Sequence, residues 1–360
     1  MTIKDPLRAI ALPVLVVAML AACGEEQAPP KEEVRVKPAP ADRLWVRGAG
    51  ATFPEPLYRK WVETYQANHP ETWVTYSGVG SGAGIDRFIT GSVDFGGSDA
   101  AMTDEQMARV DSGVHLVPAT AGMVVLAYNL PGVDGELYLP RDVYADIFAG
   151  KIDKWNDPSI QAANVELTLP NLNIALVARR DSSGTTFAFT SHLAEISETF
   201  GSEGPGVGKL VSWPGGAMLA NGNDGVAQRV KISEGAIGYM GYEFAKRLDI
   251  PMATLENKAG NFIKADPATG QTALADTVDE MPEDLRLFIP DPKGAQSYPI
   301  VTYSWLLLYG DYDSDTKRAA VKDFVTWGLS EGQSYSDDLG FIPLPREVVS
   351  LGAQAVESIQ

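Results

Sequence analysis

The sequence contains few of the residues that build metal and redox sites. Its 360 residues include one cysteine and three histidines. A single cysteine excludes a disulfide framework, and it also excludes a zinc or iron–sulfur site made of several cysteines. The histidines, His69, His115 and His192, are far apart in the chain and never fall at metal-ligand spacing. We therefore expect a protein that binds no metal ion and needs no cofactor.

Positive charge is also scarce. The chain has 29 Lys and Arg residues against 47 Asp and Glu residues, which gives a net charge of −18. Nucleic-acid binding depends on basic patches that neutralise phosphates, so this balance disfavours a nucleic-acid partner. With 45% hydrophobic and 21% charged residues, the composition is typical of a globular protein. The length has room for two domains of roughly 150 residues each.

The apolar segment near the N-terminus is too short to cross a membrane. Residues 9–20 form an apolar run of twelve after the basic residues Lys4 and Arg8, whereas a spanning helix needs about 20 residues. Such a run is typical of a secretory signal. It ends in LAACG at residues 20–24, which has the pattern of a bacterial lipobox.

This pattern predicts that residues 1–22 are a signal peptide and that Cys23 becomes the lipid-bearing first residue. An ordinary signal peptide with an incidental cysteine is the alternative. Residues 23–43 are rich in proline and charge and contain almost nothing to bury, so they indicate a semi-extended tether. We expect an exported protein of the bacterial cell envelope, anchored by lipid on the periplasmic face or the outer surface of the cell membrane.

Beyond the tether, short apolar runs alternate with amphipathic stretches. The first predicted helix follows Pro54 and has Leu57, Trp61 and Tyr65 on one face. Thr103 and Gln106 have the spacing of a capping box that opens another helix. Repeated strand–loop–helix units predict an α/β fold with a mainly parallel sheet. The predicted strands are residues 44–46, 72–76, 93–95, 123–128, 174–178, 236–240 and 298–308.

Four glycine-rich loops follow predicted strands and open predicted helices. They are residues 48–56, 78–84, 96–100 and 179–187. A helix start has unpaired N–H groups and a partial positive charge, which together hold an oxyanion without lysines. The hydroxyls that could add donors are those of Thr52, Ser81, Ser183 and Thr185. Each loop alone could be an ordinary N-cap, but the four together favour an oxyanion site.

Residues 78–83, GVGSGA, also fit the relaxed dinucleotide pattern G-x-G-x-x-G/A, and Asp99 follows at the usual interval. The export signal disfavours this interpretation, because nicotinamide cofactors are scarce outside the cytoplasm. It would also leave the other three loops without a role. The sequence therefore favours an anion site over a dinucleotide site.

Several segments resemble the phosphate-binding proteins of Pst-type ABC importers. They are GAGATFP (48–54), GVGSGAG (78–84), VDFGGSDA (93–100), GKIDKWND (150–157), RRDSSGTTF (179–187), GNDGVA (222–227) and GAIGYM (235–240). They occur in the order of that family and with its approximate spacing. The resemblance extends from about Leu44 to Leu351.

The resemblance implies a two-lobed periplasmic-binding-protein fold of the α/β class. Each lobe would be a mainly parallel sheet flanked by helices, and a two-segment hinge would join the lobes. Residues 44–120 plus 298–360 would form lobe one, and residues 121–297 would form lobe two. The implied function is an extracytoplasmic phosphate receptor that captures phosphate by hinge closure and delivers it to the permease of an ABC importer. We expect a monomeric binding protein and not an enzyme.

The resemblance also implies which residues bind phosphate: Thr52, Phe53 through its backbone, Ser81, Asp99, Arg179, Ser183, Gly184 and Thr185. Asp181 matches the acid that orients the arginine. Gly82 stands where relatives often carry a second serine, and Arg180 and Ser182 replace residues that are commonly small. Arg180 could also be the ligand cation instead of Arg179.

Asp99 is an acid among anion-binding residues, and its chemistry predicts selectivity. Phosphate near neutral pH keeps at least one proton and can donate it to a carboxylate, whereas sulfate has none to donate. An unpaired buried charge facing sulfate would cost on the order of 1–3 kcal/mol or more.

The alternative structural role of Asp99 is a helix N-cap. The alternative functions are a receptor for sulfate, molybdate or a phosphonate, an exported phosphatase, and an adhesin or signalling module regulated by phosphate.

Overall fold

The structure is a computed structural model that describes residues 42–360, together with residues 2 and 40. The predicted signal peptide, the lipidation site Cys23 and nearly all of the predicted tether lie outside the described residues. Within the described part, no helix combines the length and the apolar character needed to span a bilayer.

The described residues form eleven β-strands. They are β1 (Leu44–Gly50), β2 (Thr72–Gly78), β3 (Phe95–Ser98), β4 (Val114–Tyr128), β5 (Tyr138–Leu139), β6 (Ala175–Arg179), β7 (Met218–Ala220), β8 (Ala236–Gly241), β9 (Thr254–Glu256), β10 (Phe262–Ile263) and β11 (Val301–Tyr309).

The same residues form twelve α-helices. They are α1 (Glu55–Asn68), α2 (Ser81–Ile89), α3 (Asp104–Met107), α4 (Arg141–Phe148), α5 (Pro158–Ala163), α6 (Gly184–Ile196), α7 (Gly222–Ile232), α8 (Tyr242–Arg247), α9 (Pro267–Ala275), α10 (Asp315–Leu329), α11 (Ser336–Leu339) and α12 (Arg346–Glu357). Short 3-10 turns cover Val278–Glu280 and Glu331–Tyr335, and a π-helical turn covers Thr199–Glu203.

Eight strands form one sheet in the order β2-β1-β3-β11-β4-β8-β6-β7. The pairs at both ends are parallel: β1 pairs with β2 and β3, and β6 pairs with β7 and β8. The central pairs that involve β11 or β4 are antiparallel. A smaller sheet has the order β10-β9-β5. The predicted α/β class is confirmed, with parallel strands at the two ends of the large sheet and antiparallel strands in its middle.

The long strand β4 belongs to both halves of this sheet. Its residues Val114–Met123 pair with β11, and its residues Val124–Tyr128 pair with β8. The sequence predicted only 123–128, which is wrong for the first part of the strand. Pro118 breaks the apolar pattern there, and the structure accommodates it next to the irregularity in the pairing with β11. A proline is tolerated within a sheet at such a bulge.

The predicted strand 93–95 is displaced from its true position. The strand β3 begins at Phe95 and includes Gly96 and Gly97, which the sequence predicts to lie in a loop. Both glycines are tightly packed. A Cβ atom added at Gly96 would lie 2.8 Å from the side chain of Leu307, and one added at Gly97 would lie 2.3 Å from the Tyr76 hydroxyl. Neighbouring side chains leave no room for a larger residue at these two positions. Asp99 directly follows the end of β3.

Local sequence signals are accurate where packing agrees with them. The helix α1 buries the predicted face of Leu57, Trp61 and Tyr65. The capping box of Thr103 and Gln106 is formed at the start of α3. The loops that follow β1, β3 and β6 contain Thr52, Asp99 and Ser183, in that order. Hydrogen bonds bring these loops together.

Candidate functional site

The hydroxyl of Ser81 connects three of the four glycine-rich loops. Its oxygen accepts one hydrogen bond from the amide of Asp99 (3.2 Å) and another from the amide of Gly184 (3.0 Å). Ser81 is the first residue of α2, and Gly184 is the first residue of α6. The N-termini of two helices and the end of β3 therefore meet at one buried oxygen atom.

A buried asparagine connects the remaining loop to the same place. Asn223, near the start of α7, donates to the Thr52 hydroxyl from its amide (3.2 Å) and from Nδ2 (3.1 Å). Its Nδ2 also donates to the Thr185 hydroxyl (3.2 Å), and its Oδ1 accepts from the amide of Gly241 (3.0 Å). The sequence predicts no binding role for Asn223, although it lies in the GNDGVA segment.

These contacts fix the direction of three hydroxyl groups. A hydroxyl has two acceptor lone pairs and one donor hydrogen. Both lone pairs are used at Ser81 and at Thr52. At Thr185 the oxygen accepts from Asn223 and from Nη1 of Arg179 (3.4 Å). Each hydroxyl can therefore act only as a donor toward a further group, which is the polarity that an anion requires.

Arg179 ends β6 and is held by Asp181. Its Nε donates to Oδ1 of Asp181 at 2.8 Å, its Nη2 donates to Oδ2, and its guanidinium is almost fully buried. Asp181 also accepts from the amide of Gly222 (3.0 Å). Burial by itself would raise the pKa of Asp181, but the Arg179 guanidinium and the Gly222 amide bring that pKa below its usual value. Asp181 therefore holds the positively charged Arg179 guanidinium beside Thr185 and Asp99. The residues Thr52, Ser81, Asp99, Arg179, Asp181, Ser183, Gly184, Thr185 and Asn223 are called the cluster below.

The neighbouring Arg180 lies elsewhere. Its side chain is exposed, and its Nη2 donates to the backbone oxygen of Leu219 (3.3 Å). Of the two arginines that the sequence left open, only Arg179 is buried beside Asp99 and Thr185.

Asp99 is the acceptor in this group of donors. Its side chain is 1% exposed, and its Oδ1 accepts from the hydroxyl of Ser304 on β11 (2.9 Å). Burial raises the pKa of Asp99 to about 7, although the Ser304 hydroxyl and the Arg179 charge lower it. The next helix is capped by Thr103 and begins at Asp104, so the alternative that Asp99 is its N-cap is wrong.

The start of α6 supplies backbone donors. Ser183 is the N-cap, and its side chain accepts from the amide of Thr186 (3.1 Å). The amides of Thr185 and of Phe53 have no hydrogen-bond partner among the described residues. Gly184 has no room for a side chain, because a Cβ atom there would lie 2.5 Å from Oγ of Ser81. Close backbone packing thus brings unpaired N–H groups to the cluster.

The side chain of Phe53 belongs to the core. It is fully buried, and its ring packs edge-on against Phe341 with centroids 6.0 Å apart. It also covers β4, because a Cβ atom at Gly122 would lie 2.7 Å from its ring. Only the backbone of Phe53 is available to a ligand, in agreement with the backbone role that the resemblance implies.

The departures noted at Gly82 and Ser182 are neighbours in space. The amide of Gly82 donates to the backbone oxygen of Ser182 (2.9 Å). A Cβ atom at Gly82 would lie 2.1 Å from Oγ of Ser182. Ser182 therefore occupies the space that a side chain at position 82 would need.

The surroundings of the cluster carry no metal-binding group. Within residues 42–360, no set of three or more His, Cys, Asp or Glu side chains is arranged to hold a metal ion. A separate cavity of about 660 Å³ lies between the loop after Asp99 and the segment that contains Arg286, and Phe187 and Lys209 are on its wall. The cluster itself is buried and is made of neutral donors, one arginine and two carboxyl groups.

Comparison with known proteins identifies relatives over most of the chain. A family model described as a PBP superfamily domain matches residues 25–331. The phosphate-binding protein PstS of Pasteurella multocida is 37% identical over 84% of this chain and 87% of its own length. The phosphate-binding protein PstS of Methanocaldococcus jannaschii is also 37% identical, over 88% of this chain and 86% of its own length.

Solved structures with the same fold are also phosphate-binding proteins. A high-affinity periplasmic phosphate-binding protein, solved with phosphate bound, superposes with a TM-score of 0.71 at 22% identity, covering 86% of this chain and 92% of its own. A phosphate-binding protein from Stenotrophomonas maltophilia gives a TM-score of 0.68 at 21% identity, covering 87% of this chain and 94% of its own. At these identities the structures establish the shared fold.

Proposed function

The chain belongs to the PBP superfamily and, within it, to the PstS phosphate-binding proteins, and we propose that it is the receptor that captures inorganic phosphate outside the cytoplasm for an ABC importer. The receptor would deliver the anion to the membrane permease of that importer. The proposed ligand groups are the backbone of Phe53 and the residues Thr52, Ser81, Asp99, Arg179, Ser183, Gly184 and Thr185.

The observation that carries this proposal is the polarity of the three buried hydroxyls. Ser81, Thr52 and Thr185 each accept two hydrogen bonds, so each has only its hydrogen left to offer. Unpaired amides at a helix start and the Arg179 guanidinium add further donors. Charge-assisted hydrogen bonds of this kind are the strong ones in proteins. A tetrahedral oxyanion has enough acceptor lone pairs to satisfy all of these donors.

Asp99 adapts this donor array to phosphate. Its carboxylate repels an anion unless that anion brings a proton to share. Phosphate brings one near neutral pH, whereas sulfate would face the Asp99 carboxylate with no proton for the two anions to share, at a cost of about 1–3 kcal/mol. Specificity then rests on a repulsive element in addition to attractive ones. The alternative ligands sulfate and molybdate lack the proton that this arrangement requires.

We propose that binding is coupled to closure of two lobes. In this proposal residues 44–120 plus 298–360 move relative to residues 121–297. The strand β4 changes its pairing partner from β11 to β8 between Met123 and Val124, close to the predicted crossing of the chain. Bonds such as Ser81 to Gly184 connect the two predicted lobes, as expected for a closed form.

The remaining parts of the proposal concern attachment and turnover. We propose that Cys23 is lipidated, that the tether holds a monomeric receptor at the membrane, and that the receptor makes and breaks no bond. An exported phosphatase would release nitrophenol from a nitrophenyl phosphate ester, which an absorbance assay measures directly. Release above the uncatalysed rate, lost in the Arg179→Ala variant, would contradict the binding-only proposal.

Calorimetric titration of the purified protein tests the ligand. We expect phosphate to bind at least tenfold more tightly than sulfate at pH 8, since losing one charge-assisted hydrogen bond costs about 1.5–3 kcal/mol. Arg179→Ala should weaken phosphate binding strongly, while the matched variant Arg180→Ala should bind as the wild type does, because Arg180 is exposed. Equal affinities for the two anions would overturn the proposal.

A further inference from the structure

A serine on the neighbouring strand contacts the carboxyl group of Asp99. Ser304, near the middle of β11, is fully buried and donates from Oγ to Oδ1 of Asp99 over 2.9 Å. It does not belong to any of the glycine-rich loops, and the sequence alone predicts no role for it. The contact matters because a carboxylate has two oxygens, and a phosphate hydroxyl can use only an oxygen that remains free.

The carboxyl group of Asp99 interacts with several hydroxyl groups. Ser304 donates to Oδ1 over 2.9 Å, and the hydroxyls of Thr185 and Ser81 also lower the pKa of the carboxyl group, although less than Ser304 does. The backbone of Asp99 is fixed separately, because its amide donates to the Ser81 hydroxyl. With the backbone fixed and Oδ1 occupied, the orientation of the carboxyl plane depends on Ser304.

We infer that Ser304 is a specificity-determining residue, which orients Asp99 so that its other oxygen receives the proton of a bound phosphate. The inference rests on the proposed function, since it assigns a role within the same site. Ser304 acts through Asp99 and is a positioning residue. Its hydroxyl should affect the choice between protonated and fully deprotonated anions more than it affects the strength of anion binding.

Electrostatics supports this role. Burial raises the pKa of Asp99, and the hydrogen bond from Ser304 is the largest effect that lowers it. The other charged or titratable groups that interact with Asp99 are Arg179, Glu243, Tyr58 and Tyr76. Of these, the Arg179 charge favours the ionised carboxylate. Without the Ser304 hydroxyl, Asp99 would hold its proton at higher pH and would become a donor, which a sulfate ion can accept.

The test compares phosphate and sulfate binding by calorimetry between pH 5.5 and pH 8.5. Ser304→Ala should reduce the ratio of phosphate to sulfate affinity at pH 8 by about tenfold or more, which corresponds to one hydrogen bond to a charged group. It should also move the pH at which sulfate begins to bind to a higher value. Ser304→Cys, which nearly keeps the volume but donates weakly, should shift both quantities in the same direction. Ser304→Thr, which keeps the hydroxyl, should restore both.

Thr302→Val is the matched control, because Thr302 lies on the same strand and its hydroxyl contacts only backbone oxygens, including that of Asp99. It should keep the wild-type ratio and pH profile. The inference is overturned if Ser304→Ala and Ser304→Cys keep the wild-type ratio, or if Thr302→Val changes it equally. A wild-type protein that failed to bind phosphate would instead contradict the proposed function. Failure of the Ser304 inference and failure of the proposed function are therefore distinguishable.

Discussion

The side-chain oxygen of Ser81 accepts a hydrogen bond from the amide of Gly184, which lies 103 residues further along the chain. The bond joins the first residues of α2 and α6 over 3.0 Å. These helices belong to the two different lobes of our proposal. A bound anion that accepts from the Ser81 hydroxyl and from the start of α6 would therefore stabilise the same arrangement that this bond stabilises.

Gly184→Ala should weaken phosphate binding without unfolding the protein. A Cβ atom would lie 2.5 Å from Oγ of Ser81 and 2.7 Å from Cβ of Asp99, so α6 could no longer approach α2. Overpacking of this kind costs about 1–3 kcal/mol, which predicts a loss of roughly tenfold to a hundredfold in affinity. Calorimetry measures the affinity, and circular dichroism monitors the fold. Gly215→Ala is the control, because a Cβ atom at Gly215 would meet nothing within 4 Å; equal losses in both variants would contradict the explanation.

Sulfate binding should depend on pH through Asp99. Because burial raises the pKa of this carboxyl to about 7, it is mostly ionised at pH 8 and mostly protonated at pH 6. A protonated Asp99 can donate to sulfate, so sulfate affinity should rise by about tenfold as the pH falls from 8 to 6. Phosphate affinity should change less, because either partner can supply the shared proton.

The variant Asp99→Asn provides the comparison for this prediction. Its amide can donate at every pH, so the variant should bind sulfate with an affinity that does not depend on pH. A wild-type protein whose sulfate affinity is flat between pH 6 and pH 8 would contradict the assignment of the titrating group to Asp99.

The sequence predicted the loops of this site better than it predicted the contacts between them. Loops with glycine and a hydroxyl are local signals, and so is the capping box at Thr103, which the structure confirms. Asn223 and Ser304 carried no such signal, because an asparagine near a helix start and a serine in a strand are common. Their importance comes from contacts that span 171 residues between Asn223 and Thr52 and 205 residues between Ser304 and Asp99.

The fold shows the same difference between local signals, which the sequence reveals, and long-range contacts, which it does not. Apolar periodicity located α1, and strand–loop–helix repetition predicted the α/β class. The first part of β4 was missed because Pro118 and nearby polar residues interrupt its pattern, although the pairing with β11 makes it a strand. Tertiary pairing overrides local preference in such segments. The closely packed glycines of β3 were placed in a loop for the same reason.

Glu243→Gln should stabilise the protein more at pH 8 than at pH 5. Glu243 is buried at the start of α8, and neither of its carboxyl oxygens has a hydrogen-bond partner among the described residues. Burial raises its pKa well above the usual value, and the charge of Asp99 adds to this effect. The folded protein therefore holds a proton that the unfolded chain releases, so the Glu243 contribution to stability falls as the pH rises above about 4.5.

A neutral glutamine removes this dependence on pH. The melting temperature of Glu243→Gln relative to the wild type should increase between pH 5 and pH 8, by about 2–4 °C for each 1 kcal/mol recovered. Glu347→Gln is the matched control, because Glu347 has the same first-turn position in α12 but is exposed. If both variants respond to pH in the same way, burial of Glu243 is not the cause.

Gly82→Ser should weaken phosphate binding, and removal of the Ser182 side chain should restore it. A Cβ atom at Gly82 would lie 2.1 Å from Oγ and 2.4 Å from Cβ of Ser182, so the single variant forces the start of α2 away from the loop before α6. We expect a loss of about tenfold, in line with 1–3 kcal/mol for overpacking. The double variant Gly82→Ser with Ser182→Gly has room for the new serine, and calorimetry should find its affinity within about threefold of the wild type.

Coupling of this kind is expected only for residues in contact. Additive effects of the two substitutions would show that the two positions are independent, and the steric explanation for their joint departure from the family would then be wrong.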